Sequence, residues 1–276
     1  MSNTAMMMGL SSGAGGTPWL ADLSVASYDS VLLAVQDQDT VANGITFGYD
    51  GLRMYMTGDG SKYVNQYDLT TAWDLSTASY ASKRFYVGSQ EGDPSGVQFK
   101  SDGTKFYLIG VNNDTVYQYS MSTAWDVSTA SYDSVSFSAN SQQSSAEDLF
   151  FSTDGDKLYV IGIGGVHLYQ YTLSTPWDIS TASYDSISFD TSSYNGFPMG
   201  VYFNPKGDKF YVAGTTIDEY TMATEWDIGT ASHSATYTIA NDAPTTSPHG
   251  LYFKPDGSRM FVVYPSTDDI FQFTTA

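Results

Sequence analysis

Thr71-Ala72-Trp73-Asp74-Leu75-Ser76-Thr77-Ala78-Ser79-Tyr80 is written again with small changes around Trp125, Trp177 and Trp226, and once more with two extra residues around Trp19. The steps between these tryptophans are 54, 52, 52 and 49 residues. A period near 50 residues is long enough for one four-stranded unit per repeat, so the chain reads as a single unit written five times.

The second full copy shows the grammar of that unit. Pro94-Ser95-Gly96-Val97-Gln98-Phe99 precedes Asp102-Gly103, Lys105-Phe106-Tyr107-Leu108-Ile109-Gly110 follows, and Asp114-Thr115-Val116-Tyr117-Gln118-Tyr119 comes next. Short aromatic and β-branched runs bounded by turn residues predict three strands with a tight Asp-Gly hairpin between the first two. The tryptophan phrase comes next, then a fourth strand at Ser131–Phe137. The turn recurs at Asp50-Gly51, Asp154-Gly155 and Asp256-Gly257, with Lys206-Gly207 in the fourth copy. Alternating aromatic residues exclude a helical solenoid. The fold class is therefore all-β, a five-bladed β-propeller with four antiparallel strands per blade.

The ring closure is written in the two ends of the repeat. The last copy stops at a third strand, Phe271–Ala276, without its tryptophan phrase or fourth strand, and both missing pieces occur at Thr17-Pro18-Trp19 and Asp22–Val31. The N-terminal strand is expected to complete the fifth blade, with Ala276 near Thr17. Residues 17–276 form the propeller, and residues 1–16 stand outside the repeat as a separate tail.

Pro248-His249-Gly250-Leu251-Tyr252-Phe253-Lys254-Pro255-Asp256-Gly257 and its sister segments resemble the inner strand and turn of the YVTN and NHL class of β-propellers. The added Ser-Thr-Ala-Trp-Asp-Val-Ser-Thr-Ala-Ser-Tyr phrase resembles repeat proteins of environmental bacterial and phage sequences. The resemblance implies a fold, because propellers of this kind include lactonases, lectins and pure scaffolds.

Thirty Asp and Glu against 11 Lys and Arg give a formal charge of −19. Phosphate polymers and anionic membranes are gripped by cationic surface, so neither is an expected partner. No cysteine is present, which leaves no disulfide framework and no thiolate site. Nowhere does an apolar stretch reach the 18 residues of a membrane span, and the first residues lack a basic and an apolar signal region. A soluble protein is expected.

A residue repeated in every blade is first a packing residue. Trp19, Trp73, Trp125, Trp177 and Trp226 read as inter-blade staples, and the following Asp74, Asp126, Asp178 and Asp227 as caps on a turn of backbone. Gln66, Gln118, Gln170 and Gln272, with Glu219 in the fourth copy, read as one structural hydrogen bond per blade.

Function is better sought where the repeat fails. At the start of the inner strand the pairs are Asn43-Gly44, Ser95-Gly96, Glu147-Asp148, Met199-Gly200 and His249-Gly250, and blade 3 alone places two carboxylates there. Lysines and arginines flank the Asp-Gly turns, whereas the opposite face carries Asp37, Asp39, Glu91, Asp93, Glu147 and Asp148. Glu147 and Asp148, with Asn43 and His249 on other blades, form a candidate face for Ca²⁺ or for a sugar. Asp39, Glu91, Asp93 and Glu147 are candidates for the paired carboxylates of a glycosidase. No Gly-x-Ser-x-Gly elbow, His-Glu-x-x-His or phosphate loop is present.

The tail, Met1–Gly16, has no charged side chain, and Met6, Met7, Met8 and Leu10 suit the apolar groove of a partner. Such a tail ahead of a globular module resembles the attachment segments of phage virion proteins. The leading expectation is a non-enzymatic virion component, a capsid decoration or tail-associated propeller, held to other virion proteins by residues 1–16. The alternatives are a lectin-like propeller that binds cell-surface glycan, or a propeller hydrolase or lactonase.

Overall fold

Each Asp-Gly turn makes room for a tryptophan. In the computed structural model, which describes residues 18–48, 50–238 and 247–276, the turn glycines Gly51, Gly103, Gly155 and Gly207 have φ between +70° and +79°. A Cβ at any of them would lie 2.2–2.3 Å from the indole of its own blade, Trp73, Trp125, Trp177 or Trp226. Glycine is thus required twice, for a left-handed turn and for the space the ring occupies.

The sequence runs through twenty strands among the described residues. β1 (Ser27–Ala34) belongs to the last blade. Blade 1 holds β2 (Ala42–Phe47), β3 (Arg53–Gly58), β4 (Tyr63–Leu69) and β5 (Ala78–Tyr86). Blade 2 holds β6 (Pro94–Phe99), β7 (Lys105–Gly110), β8 (Thr115–Met121) and β9 (Ala130–Ser138). Blade 3 holds β10 (Ala146–Phe151), β11 (Lys157–Gly162), β12 (His167–Leu173) and β13 (Ala182–Asp190). Blade 4 holds β14 (Gly200–Phe203), β15 (Lys209–Ala213), β16 (Ile217–Met222) and β17 (Ala231–Tyr237). Blade 5 holds β18 (Leu251–Phe253), β19 (Arg259–Tyr264) and β20 (Asp269–Thr274), and β1 completes it.

All pairs are antiparallel, and the closure is as the repeat implies. Ser27 pairs with Thr274 and Ala34 with Asp269. Leu20 N donates to Asp256 O at 2.9 Å and Asp22 N to Thr275 O at 2.8 Å. Thr17 lies outside the described residues, as do Met6, Met7, Met8 and Leu10.

The core lies between blades rather than within them. Tyr55 of blade 1 packs on Phe99 of blade 2 at 3.9 Å between ring centroids, and Tyr107, Tyr159 and Tyr211 repeat the contact with Phe151, Phe203 and Phe253 at 4.5, 4.2 and 4.4 Å. Phe261 closes the circle on Phe47 at 4.5 Å. The tyrosine hydroxyls then donate to the tryptophan carbonyl of the next blade, Tyr55 to Trp125 at 2.7 Å, Tyr107 to Trp177 at 2.5 Å and Tyr159 to Trp226 at 2.6 Å. Phe261 has no hydroxyl, and Arg259 supplies the missing donor to Trp73 O. In the fifth copy the insertion of Leu20 and Ala21 changes the partner, so Tyr211 Oη accepts from Trp19 Nε1 at 2.8 Å.

Two other repeated residues have equally local tasks. Asp22, Asp74, Asp126, Asp178 and Asp227 each cap a short 3₁₀ turn by accepting from a backbone N–H two residues on. Gln66, Gln170 and Gln272 accept from the N–H of Val127, Ile228 and Leu75 in the next blade at 3.0–3.2 Å, whereas Gln118 Oε1 has no partner among the described residues and Glu219 accepts from Lys209 Nζ and Tyr211 Oη within its own blade. A buried amide left unpaired costs about 1–3 kcal/mol, which is reason enough to keep the glutamine.

The slot argument predicts the outcome of two glycine substitutions. Gly155→Ala meets both a left-handed backbone and the Trp177 ring, and should lower unfolding free energy by about 2–4 kcal/mol in urea denaturation. Gly196→Ala, with nothing within 4 Å of the added Cβ, should change it by less than about 0.5 kcal/mol.

Candidate functional site at the channel mouth

The five inner strands meet so closely that only glycine fits at most of their contact points. A Cβ on Gly44 would lie 2.1 Å from Ser95 O, and one on Gly200 would lie 2.2 Å from His249 O. The residue just before each contact is displaced from the ladder. Pairing jumps from Ala42 to Gly44, from Pro94 to Gly96 and from Ala146 to Asp148, which leaves Asn43, Ser95 and Glu147 on bulges. Bulges re-aim side chains, and these three, with Met199 and His249 just before the inner strands of blades 4 and 5, follow one another around the ring in the order Asn43, Ser95, Glu147, Met199, His249. Asn43 Nδ2 reaches Pro94 O at 3.4 Å, and Ser95 Oγ donates to Glu147 Oε2 at 2.9 Å.

Below that ring the channel is plugged. Tyr202 packs against Phe150 and Tyr252 at 5.3 and 5.2 Å between centroids. Gln98 Oε1 accepts from Phe151 N at 2.7 Å, and a cavity of about 20 Å³ remains. The mouth thus narrows onto these side chains. On the side of blades 4 and 5 it opens into a cleft of about 320 Å³ lined by Phe197, Met199, Gly214, Thr215, Ser247 and His249.

Blade 3 departs from the glycine rule at Asp148. Its carboxylate accepts from Val201 N at 2.9 Å and Leu149 N at 2.8 Å, so it ties blade 3 to blade 4. Burial pushes its pKa up to about 7, with the Glu147 charge adding to the rise. Glu147 is 6 % exposed. Burial raises it to about 7, opposed by the Ser95 hydrogen bond and reinforced by the charges of Asp93 and Asp114. Half-buried His249 moves the other way, down to about 4, because burial disfavours the imidazolium, and its Nδ1 has no hydrogen-bond partner.

Asp39 and Glu91 occupy one repeat position and hold loops. Asp39 accepts from Val41 N, Gly60 N and Ser61 N at 2.9–3.0 Å. Glu91 Oε1 accepts from Asp93 N and Asn112 N at 3.0 and 3.2 Å. Gln143 and Asn195 do the same work in blades 3 and 4. Asp37 is exposed on its loop, and Asp93 lies at the rim, where burial and the Asp59 charge raise it. Glu147 and Asp148 therefore share the mouth, Asp93 stands close to Glu147, and Asp39 and Glu91 belong to the scaffold. Among the described residues no group of three or more His, Asp or Glu side chains is placed to hold a metal ion.

Sequence reasoning passed over an outer ring two residues before the inner one. Its members are Val41, Asp93, Ser145, Phe197 and Ser247. Phe197 is 59 % exposed, and with Met199 it makes one sector of the mouth apolar, whereas Asp93 and Glu147 make another acidic. The signal was available as a second departure from the repeat, but only polar departures were weighed.

No protein-family model matches this chain, and no curated protein matches it. Among solved structures it is similar to one named a candidate 6-phosphogluconolactonase from Bacteroides uniformis, at TM-score 0.50 and 13% identity over 82% of this chain and 64% of that one. It is also similar to a protein of unknown function from Desulfotomaculum acetoxidans, at TM-score 0.48 and 13% identity over 80% of this chain and 62% of the other. A further candidate 6-phosphogluconolactonase, from Bacteroides fragilis, gives 0.48 and 17% over 70% and 52%. This chain covers less than two thirds of the length of each. At these identities the likeness is one of fold, a β-propeller.

The electrostatics of Glu147 can be read directly. A carboxyl whose folded pKa is raised from 4.5 to about 7 gives stability that is full below pH 4.5 and is lost as pH rises through 7. His249 has the opposite sign, with stability present above its ordinary value of 6.5 and lost as pH falls through about 4. A ¹³C titration of the Glu147 side chain should show a midpoint near 7, moving higher in Ser95→Ala, and a wild-type midpoint below 5 would contradict the burial argument.

Proposed function

We propose that this propeller is a hydrolase of small neutral lactones or related esters, with Glu147 at the channel mouth as its general base. The observation that carries the reading is a carboxylate raised to about 7 at the channel mouth, in a ring whose other inner positions are Asn43, Ser95, Met199 and His249. A general base works best when its pKa lies near the operating pH. Glu147 has that match, and the repeat does not require it, because blade 2 places Ser95 at the same position.

In the proposed step, carboxylate Glu147 takes a proton from water as the water oxygen bonds to the acyl carbon. The acyl–oxygen bond then breaks, and the departing alkoxide takes the proton back from Glu147, giving the open hydroxy acid. Ser95 Oγ–H, at 2.9 Å from Glu147 Oε2, orients the carboxylate. Neutral His249 and Asn43 Nδ2 are the polar groups of the ring able to donate to the carbonyl oxygen.

A neutral substrate is favoured over a phosphorylated one. Among the described residues no lysine or arginine lines the ring, the plug or the cleft. Lys62, the cation nearest the acidic rim, is taken up by Asp59 at 2.5 Å and by Gly92 O. The competing reading, a non-enzymatic virion scaffold, depends on residues 1–16, which lie outside the described residues.

The test is pH-stat hydrolysis of glucono-1,5-lactone above its spontaneous rate. The wild-type chain should accelerate the reaction with a rate rising through about pH 7, and Glu147→Gln should lose about 10²-fold or more while staying folded. An unchanged rate in that variant, or no acceleration by the wild type, would overturn the proposal.

A further inference from the structure

We infer that the cleft beside His249 is a sugar subsite, with Phe197 as the platform on which the apolar face of a neutral pyranose ring stacks. The inference rests on the mouth being the ligand site, and it names the substrate class that site would take.

Three features of the mouth converge on this ligand. The first is Phe197 itself, more exposed than any other large apolar side chain among the described residues. Its counterparts around the outer ring are Val41, Asp93, Ser145 and Ser247, so blade packing does not call for an aromatic residue. Leaving a phenyl ring in water forgoes the stabilisation of burying it, a cost that a ligand can recover.

The second is how firmly the backbone that carries the phenyl is held. Asn195, fully buried, accepts from Phe197 N at 3.3 Å and from Thr215 N at 3.4 Å. Its Nδ2 donates to Thr216 O at 3.2 Å and Asp218 Oδ2 at 3.4 Å, and Thr216 Oγ1 adds a 2.7 Å bond to the same carboxylate. The loop that carries Phe197 is thereby tied to the β15–β16 hairpin on the other side of the cleft. A platform fixed in advance loses little entropy when it binds.

The third is the shape and polarity of the cleft. Its volume of about 320 Å³ is at the small end of ligand pockets, right for one or two monosaccharide rings. Phe197 and Met199 supply the apolar floor, and Thr215 and Ser247 supply hydroxyls. Across the mouth Asp93 and Glu147 provide acceptors. A pyranose whose hydroxyls are all equatorial has axial C–H groups on its faces and hydroxyls around its edge, and it matches this division of apolar floor and polar rim. A phosphorylated or carboxylated sugar meets only negative charge there.

The probe is methyl β-D-glucopyranoside, titrated into the full chain and followed by calorimetry and by ligand-observed NMR. The wild type should bind it saturably in the millimolar range. Phe197→Ala should weaken binding at least tenfold, and Phe197→Trp should retain it. No saturable binding, or equal binding by Phe197→Ala, would overturn the inference. Two mixed outcomes separate it from the hydrolase reading. Lactone hydrolysis with a KM unaffected by Phe197→Ala would leave the enzyme and remove the sugar platform. Glycoside binding that depends on Phe197, without lactone hydrolysis, would leave the platform and remove the enzyme.

Discussion

One contact organises the molecule: an aromatic ring on the second strand of each blade, pressed onto the inner-strand phenylalanine of the next. Tyr55, Tyr107, Tyr159, Tyr211 and Phe261 each make it, and the five hydrophobic clusters lie at these five joints. Aromatic pairs of this kind contribute about 0.5–1.5 kcal/mol beyond the area they bury. Because the contact runs from blade to blade, no blade can complete its core alone. The ring must close, and β1 closes it by pairing with β20.

That constraint explains both the regularity of the chain and its exceptions. The turn glycines, the tryptophans, the capping aspartates and three of the glutamines serve the joints or the turns beside them. Where one part changes, a neighbour restores the bond, as Arg259 does for the hydroxyl that Phe261 lacks. The channel mouth is less uniform, with blade-to-blade bonds that differ at Asn43, Ser95 and Asp148. Its two rings of residues differ from blade to blade, and at Glu147 the chain keeps a buried carboxylate whose ionisation burial opposes. A site that departs from its repeat and holds an acid near neutrality is where chemistry is most economically placed.

Much of this was legible in the residues themselves. The phrase around Trp73 set the period, and the incomplete last copy at Phe271–Ala276 announced the closure. Asp74 and its counterparts read correctly as caps because the residue type and its place before Ser-Thr imply the hydrogen bond. Less could be read about the site. Asp39, Glu91 and Glu147 are alike in sequence, all acids on one face at or just before an inner strand, yet Asp39 and Glu91 turn inward to hold backbone N–H groups and only Glu147 reaches the mouth. That distinction depends on where a bulge falls and on what surrounds a carboxylate, neither of which spacing encodes. Phe197 escaped notice for a related reason: a phenylalanine between two strands reads as core until the fold shows it 59 % exposed among the described residues.

The central claim is that Glu147 is kept for function against the interest of stability. It is tested most directly by giving blade 3 the residue that blade 2 already has, Glu147→Ser, and comparing urea unfolding with the wild type at pH 8 and at pH 5. The account predicts a variant more stable than the wild type at pH 8, by up to about 3 kcal/mol, with the gain shrinking toward pH 5 as the wild-type carboxyl takes up its proton. A variant less stable at pH 8 would contradict it and make Glu147 one more structural part of the ring.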